Sequence, residues 1–133
     1  MEDGLVRTVE VSGLELRVRV HHDALPGSAR VEDSRSSAET FQIGFSVRYP
    51  HRGSGNEGAR VFNYAATVRE IRSWEPVDLT DPIETLADEV LRVIQDSAAS
   101  QEIGLLQAEV TVLRPRLAGL DIRARVRWRA PRG

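Results

Sequence analysis

The sequence has no cysteine, which excludes disulfide frameworks, thiolate nucleophiles and zinc–thiolate centres. It also has no lysine, because all 18 basic residues are arginine. Schiff-base chemistry through a lysine side chain is therefore excluded. A lysine general base is excluded too, and arginine cannot replace it because the guanidinium pKa stays above about 12.

Long apolar runs are missing as well, since none approaches the roughly 20 residues of a membrane span. The opening residues Met1–Gly4 are acidic and lack the apolar segment of a signal peptide. We therefore expect a cytoplasmic protein. The formal net charge of -2 lacks the large basic excess that marks general nucleic-acid or anionic-membrane binders.

The length of 133 residues fits one domain with one sizeable core. Apolar residues make up 41% of the chain, which is too high for a disordered protein. We expect a single domain over residues 1–133, with its core between about residues 5 and 130.

Four segments alternate apolar and polar residues with the period of a half-buried strand. In the first, Ser12-Gly13 either divides the strand or forms a bulge. Arg114-Pro115 is predicted to end the third, and the polar stretch 23–38 is predicted to be a loop. The predicted strands cover residues 5–22, 41–49, 106–113 and 121–129.

Two segments between the second and third strands have a helical period instead. The first predicts a helix over about 63–74, and the second predicts an amphipathic helix that ends near 97–100. The second helix has a strong start signal, because Asp81 can cap it and Pro82 suits its first position. Glu84 stands where a capping-box carboxylate would stand.

These elements predict an α+β fold with a four-stranded antiparallel sheet and both helices on one of its faces. The opposite face would be polar, and the open sheet edges would have to be protected. Subunits that pair edge to edge into a barrel would remove those edges, so we expect a homo-oligomer. The alternative is a monomer with a solvated back face.

The order of elements and several local motifs resemble the dihydroneopterin aldolase family, whose members have the tunnelling fold. Weaker support comes from Gly13-Leu14, from His21-His22 and from the strand that leads into Arg114-Pro115. The motifs that carry the resemblance are Val61-Phe62-Asn63-Tyr64-Ala65, Glu75-Pro76-Val77-Asp78-Leu79 and Ile83-Glu84-Thr85-Leu86-Ala87-Asp88-Glu89-Val90.

The resemblance implies a folate-pathway protein that binds a pterin between two subunits of a tetramer or octamer, without a cofactor. Glu84 matches the glutamate that anchors the 2-amino and ring N–H groups of the heterocycle. An ionised carboxylate can accept two parallel hydrogen bonds from such an edge, and a helix N-terminus favours the ionised form. The alternative is that Glu84 only caps its helix.

Other positions follow from the same resemblance. Tyr64 matches a tyrosine implicated in proton transfer, although an aromatic residue at a helix start can simply pack on the core. Asn63, His22 and the backbone near Ile83 and Ala24 would line the pocket. Adjacent histidines on a strand point to opposite faces, so we expect no metal site at His21-His22.

The sequence also departs from the family. The family's acid–base lysine before a proline is Arg114 here, which can orient water or hold an anion but cannot cycle a proton near neutral pH. The first-loop glutamate of the family has three candidates, which are Glu32, Asp33 and Glu39. The scaffold and the anchor thus resemble the family, whereas the proton-transfer groups differ.

Three functions are compatible with this sequence. An enzyme would cleave or epimerise a dihydropterin side chain with Tyr64 and an ordered water, while Arg114 stabilises an enolate-like intermediate. A binding module would hold a pterin or purine-like heterocycle without turnover. A ring-forming structural protein would retain the pocket without using it. None of the three involves nucleic acid or a membrane.

Overall fold

The structure, a computed structural model, describes residues 5–21, 36–51, 61–79, 82–117 and 119–131. Along the chain the elements follow the order strand, strand, helix, strand, helix, strand, strand. Their bounds are β1 (Val6–His21), β2 (Ser36–Pro50), α1 (Tyr64–Arg72), β3 (Val77–Leu79), α2 (Ile83–Ser100), β4 (Gln107–Leu117) and β5 (Leu120–Arg129).

The strands form one mixed sheet in the order β3-β1-β2-β4-β5. The four predicted strands are all present, and each pairs with its neighbour in antiparallel fashion. The fifth strand, β3, pairs with Val18–Val20 in parallel. The prediction of a four-stranded, wholly antiparallel sheet was therefore wrong, because a strand of three residues is too short to show an alternating pattern.

A bulge divides β1 at Gly13. The register with β2 shifts between Val11, which faces Phe45, and Leu14, which faces Ile43. Gly13 has a φ of 77°, a conformation in which a side chain is strained. The extra residue moves the core-facing side chains from odd to even positions, so both halves of β1 keep their apolar residues on the same face.

The second and third predicted strands extend further than expected, and the loop prediction for 23–38 was wrong from Ser36 onwards, where β2 begins and pairs with the end of β1. Strand β4 continues through Arg114 and Pro115 to Leu117, and its register with β5 is irregular only between Arg114 and Leu117. Proline is tolerated at such irregularities because no ladder hydrogen bond needs its missing N–H. A tight connection with Gly119 at a φ of 79° then leads into β5.

Both helices begin close to the predicted positions. The side-chain oxygen of Asn63 caps α1 by accepting a hydrogen bond from the backbone N–H of Ala66 at 3.2 Å. Helix α2 begins at Ile83, and Pro82 occupies the cap position without a side-chain cap. Pro82 was predicted inside the helix and lies one position earlier. Asp81, the predicted cap, lies outside the described residues.

The two helices cover one face of the sheet and enclose a single core. Alternate residues of the four long strands contribute side chains to it, and α2 contributes an i, i+4, i+8 stripe that includes Leu86, Val90 and Ile94. The largest fully buried side chains are Tyr49, Phe41, Phe62, Leu16, Ile43, Ile71 and Ile94.

The fold has two distinct ends. We call the upper end the one where β1 and β4 finish, and the lower end the one where they begin. Helix α2 starts four residues after β3, which pairs with the last residues of β1, and therefore starts at the upper end. It finishes at the lower end, since its last turn leads into the start of β4.

Candidate ligand-binding site

Glu84 lies in the first turn of α2 at the upper end, with an exposed side chain. No described residue makes a hydrogen bond or an ion pair with its carboxylate. The N–H groups of the first helical turn lack partners within the helix and carry partial positive charge. The Glu84 carboxylate therefore does not cap α2 and can accept hydrogen bonds from a ligand.

Ile83 and Thr85 fix the position of Glu84. The Ile83 side chain is partly buried and packs against the core. The backbone N–H and the hydroxyl of Thr85 both donate to the Pro82 carbonyl, at 2.9 and 2.6 Å. The backbone at Ile83, predicted to line the pocket, therefore belongs to a well-held helix start.

Arg114 is also near the upper end, on the face of the sheet that the helices cover. Its guanidinium makes two hydrogen bonds to the Glu39 carboxylate, with Nε–Oε1 at 2.7 Å and Nη2–Oε2 at 2.6 Å. It also lies 5.9 Å from the ring centroid of Phe41. The Arg114 side chain is only 7% exposed, whereas that of Glu39 is 26% exposed. Glu39 is the more accessible member of the pair.

Tyr64 and Asn63 are at the opposite, lower end. The backbone N–H of Asn63 donates to the Gln101 side-chain oxygen at 2.6 Å, which places it beside the C-terminus of α2. Gln101, the C-cap of α2, lies seventeen positions after Glu84, and this corresponds to about 25 Å at 1.5 Å per residue. One chain alone therefore cannot bring Asn63 and Tyr64 to the same ligand as Glu84.

The lower end also exposes apolar side chains. Tyr64 is 51% exposed rather than packed in the core, and Val61 beside it is 60% exposed. Leu5, Val6 and Leu106 are exposed at the same end. The packing alternative for Tyr64 is thus not what the structure shows, and its side chain is accessible to another molecule.

Two predicted residues of the pocket, His22 and Ala24, lie outside the described residues, as do Glu32 and Asp33. His21 is described, and its Nε2 atom lies 3.2 Å from the Asp78 carboxylate. Arg19 also approaches this carboxylate, at 3.3 Å. These side chains are on the face of the sheet opposite the helices.

A surface cleft of about 330 Å³ runs between β3 and the first turns of α2. Trp74, Val77 and Leu86 give it an apolar wall, and Asp78 and Glu89 also line it. Its α2 residues, Leu86 and Glu89, follow Glu84 in the helix, and Glu84 itself does not line the cleft. In the described ranges, no group of three or more histidine or acidic side chains is arranged to hold a metal.

Comparisons of the whole structure give clear neighbours. A dihydroneopterin aldolase from Burkholderia thailandensis, solved bound to guanine, superposes with a TM-score of 0.59 over 95% of this chain and 93% of its own, at 13% sequence identity. The 6-pyruvoyl tetrahydropterin synthase of Plasmodium falciparum superposes with a TM-score of 0.60 over 94% of this chain and 99% of its own, at 9% identity. The Plasmodium vivax synthase gives 0.59 at 9% identity.

The chain has the tunnelling fold. No protein-family model matches the sequence, and no curated protein matches it significantly. At 9 to 13% identity the likeness to the solved structures is one of fold. The fold that the local motifs predicted is therefore confirmed, although these motifs carry too few residues for a match of whole sequences.

Within this tunnelling fold, sequence reasoning named Glu39 only as one of three candidates and did not connect it with Arg114. The two residues are 75 positions apart, so no local pattern could pair them. The strand register offers the missing signal, since Gln42 faces Leu113 and the next core-facing residues towards the upper end are then Phe41 and Arg114.

In the part of the chain that is described, no helix is long and apolar enough to cross a membrane.

Proposed function

We propose that the protein binds a pterin or a related bicyclic heterocycle at a site formed between two subunits. The observation that carries this proposal is the exposed Glu84 carboxylate in the first turn of α2, which makes no hydrogen bond or ion pair with any described residue. An ionised carboxylate there can accept two parallel N–H bonds from the amino-pyrimidinone edge of the ligand. Guanine carries the same edge, and the aldolase of like fold was solved with guanine bound.

The distance between the two groups of predicted site residues supports a site between subunits. Glu84 at the upper end and Tyr64 at the lower end are separated by the length of α2. An oligomer that sets the upper end of one subunit beside the lower end of the next brings them together. The partner would then supply Tyr64, Asn63 and the apolar surface around Val61, on which a flat heterocycle can stack.

Within this site, Arg114 is proposed to act through Glu39. The guanidinium uses its Nε–Nη2 edge for the Glu39 carboxylate, and the side chain is only 7% exposed, so little of it is accessible to a second anion. Its role is to fix the orientation of Glu39, whose partly exposed oxygens can accept hydrogen bonds from hydroxyl groups of a ligand side chain. This replaces the direct catalytic role that the sequence analysis expected for Arg114.

The test is a calorimetric titration with neopterin and with guanine. We expect saturable binding to the wild type, and a loss of roughly tenfold to 100-fold in affinity in Glu84→Gln, since a hydrogen bond to a charged group contributes about 1.5–3 kcal/mol. Asp96→Asn is the matched control, because it removes the same charge from the same helix about 18 Å away. Equal affinities in Glu84→Gln and the wild type would refute the anchor.

A second candidate function is retro-aldol cleavage or epimerisation of a dihydropterin side chain. The exposed hydroxyl of Tyr64 favours it, since a partner's site could use that group in proton transfer. The burial of the Arg114 guanidinium against Glu39 favours binding without turnover instead. Incubation with 7,8-dihydroneopterin decides between the two, because only an aldolase releases the two-carbon aldehyde and only an epimerase changes the side-chain configuration.

A further inference from the structure

The face of the sheet away from the helices is rich in arginine where β4 and β5 pair. Arg48 of β2 lies opposite Gln107 of β4, which in turn lies opposite Arg129 of β5, so all three share this face. Exposed arginines occupy alternate positions of β5. We call the following residues the arginine face: Arg48, Arg123, Arg125, Arg127 and Arg129.

One carboxylate, that of Glu109 on β4, lies among these arginines. It contacts the guanidinium of Arg125 at 3.5 Å and that of Arg127 at 3.1 Å. The other three guanidiniums make no hydrogen bond or ion pair with any described residue, and they belong to Arg48, Arg123 and Arg129. Most of the arginine face is therefore available to negative charge from outside the chain.

The fold separates charges that nearly balance in the sequence, whose formal net charge is -2. Helix α2, on the opposite side of the sheet, carries four acidic residues and one arginine. The remaining described carboxylates on the strands of the arginine-bearing side lie at its margins, with Asp121 at the start of β5 and Glu10 and Glu15 on β1. The arginine face is thus a positive surface on a slightly acidic chain.

The arginine face is long and narrow. Arg123 and Arg129 are six residues apart along β5, which corresponds to about 20 Å at ~3.4 Å per residue. Arg48 lies two strands from Arg129, at a backbone distance of about 10 Å. The three guanidiniums without a partner are too far apart for all of them to reach one small anion, so the shape fits an extended chain of negative charges.

The chemistry of this face favours phosphate groups without nucleobases. A guanidinium binds phosphate through two parallel N–H bonds and matches its geometry. Nucleobases would need aromatic side chains on which to stack. Strands β2, β4 and β5 carry no phenylalanine, tyrosine or tryptophan on this face, since Trp128 lies opposite the buried Ala108 and thus on the helix side.

We propose that the arginine face binds a linear inorganic polyphosphate chain. Such a chain carries negative charge at every phosphate, has no bases that need a stacking surface, and is flexible enough to contact each guanidinium in turn. It is also thin, so it can reach this face from inside a barrel of paired copies. None of the residues of the arginine face belongs to the candidate heterocycle site, so the inference does not rest on the proposed function.

Fluorescence anisotropy with polyphosphate labelled at one end tests the proposal. We expect saturable binding to the wild type. The variant with Arg48→Gln, Arg123→Gln and Arg129→Gln should lose affinity roughly tenfold to 100-fold at low salt and depend less steeply on salt, because fewer counterions are released. The matched control removes the same charge from the helices through Arg69→Gln, Arg72→Gln and Arg92→Gln, and should bind nearly as the wild type does.

Glu109→Gln separates a lost binding surface from a lost fold. It removes the carboxylate that occupies Arg125 and Arg127, so it should bind polyphosphate severalfold more tightly, which a misfolded chain would not do. Glu70→Gln on α1 is its control and should leave the affinity unchanged. Wild-type affinity in both the triple arginine variant and Glu109→Gln would overturn the proposal. Equally tight binding of oligouridylate or polyglutamate of the same total charge would overturn the choice of polyphosphate.

Discussion

At the scale of single residues, the contact between Arg114 and Glu39 is the one that links stability to the candidate site. The planar guanidinium makes two parallel hydrogen bonds and lies over Phe41, which a lysine ammonium cannot reproduce. We expect Arg114→Lys to lower the free energy of unfolding by about 2 kcal/mol. Denaturant unfolding followed by tryptophan fluorescence measures this difference.

Arg92→Lys is the control for that substitution. Arg92 also contacts a glutamate, Glu89, at 3.3 Å, but both side chains are more than half exposed. Exposed ion pairs contribute little to stability, so this variant should unfold like the wild type. A loss in Arg92→Lys as large as that in Arg114→Lys would contradict a special role for the buried pair.

The sequence predicted that Arg114 cannot transfer protons, but it did not predict which residue Arg114 contacts. The absence of lysine and the arginine before Pro115 were visible at once, and so was the consequence for proton transfer. Its carboxylate partner was hidden, because the pairing depends on strand register over 75 intervening positions. Local patterns report which face a residue occupies and not which distant residue shares that face.

At the scale of elements, the bulge at Gly13 controls which way both halves of β1 face. A residue with a side chain would adopt this φ of 77° only at a conformational cost of about 1–2 kcal/mol. This cost does not come from a clash, because no atom lies within 4 Å of an added Cβ. We expect Gly13→Ala to lower the free energy of unfolding by that amount. Gly104→Ala, where an added Cβ also meets no atom within 4 Å and φ is ordinary, should not destabilise the protein.

Long elements were predictable from the sequence, whereas the shortest strand was not. The long strands and α2 repeat their pattern over many residues, so their periods identified them. Strand β3 has three residues and was recognisable only from its pairing with β1. Pro115 misled the prediction for a related reason, since proline is incompatible with a regular ladder but not with the irregular register at the end of β4.

At the scale of the whole molecule, binding should depend on assembly, because no single chain holds both Glu84 and Tyr64 near one ligand. We expect an equimolar mixture of Glu84→Gln and Tyr64→Ala chains, refolded together, to bind neopterin more tightly than either variant alone, because some sites then receive Glu84 from one chain and Tyr64 from another. Calorimetric titration of each variant and of the mixture measures this, and a mixture that binds no better than the variants would contradict it.

The fold of the molecule was predictable because several short motifs occurred in the right order, even where no single motif was decisive. The separation of Glu84 from Tyr64 along the long axis of α2 was not predictable from the residues alone. It depends on the direction of α2 relative to the sheet, and this direction is set by tertiary contacts such as that between Asn63 and Gln101.

The length of α2 has a consequence for inheritance. If each site takes Glu84 from one copy and Tyr64 from the next, a gene encoding a defective upper end and a gene encoding a defective lower end complement each other. In a random mixture of their products, roughly one site in four receives two intact halves. A cell that carries both damaged alleles would then retain a function that neither allele supplies alone.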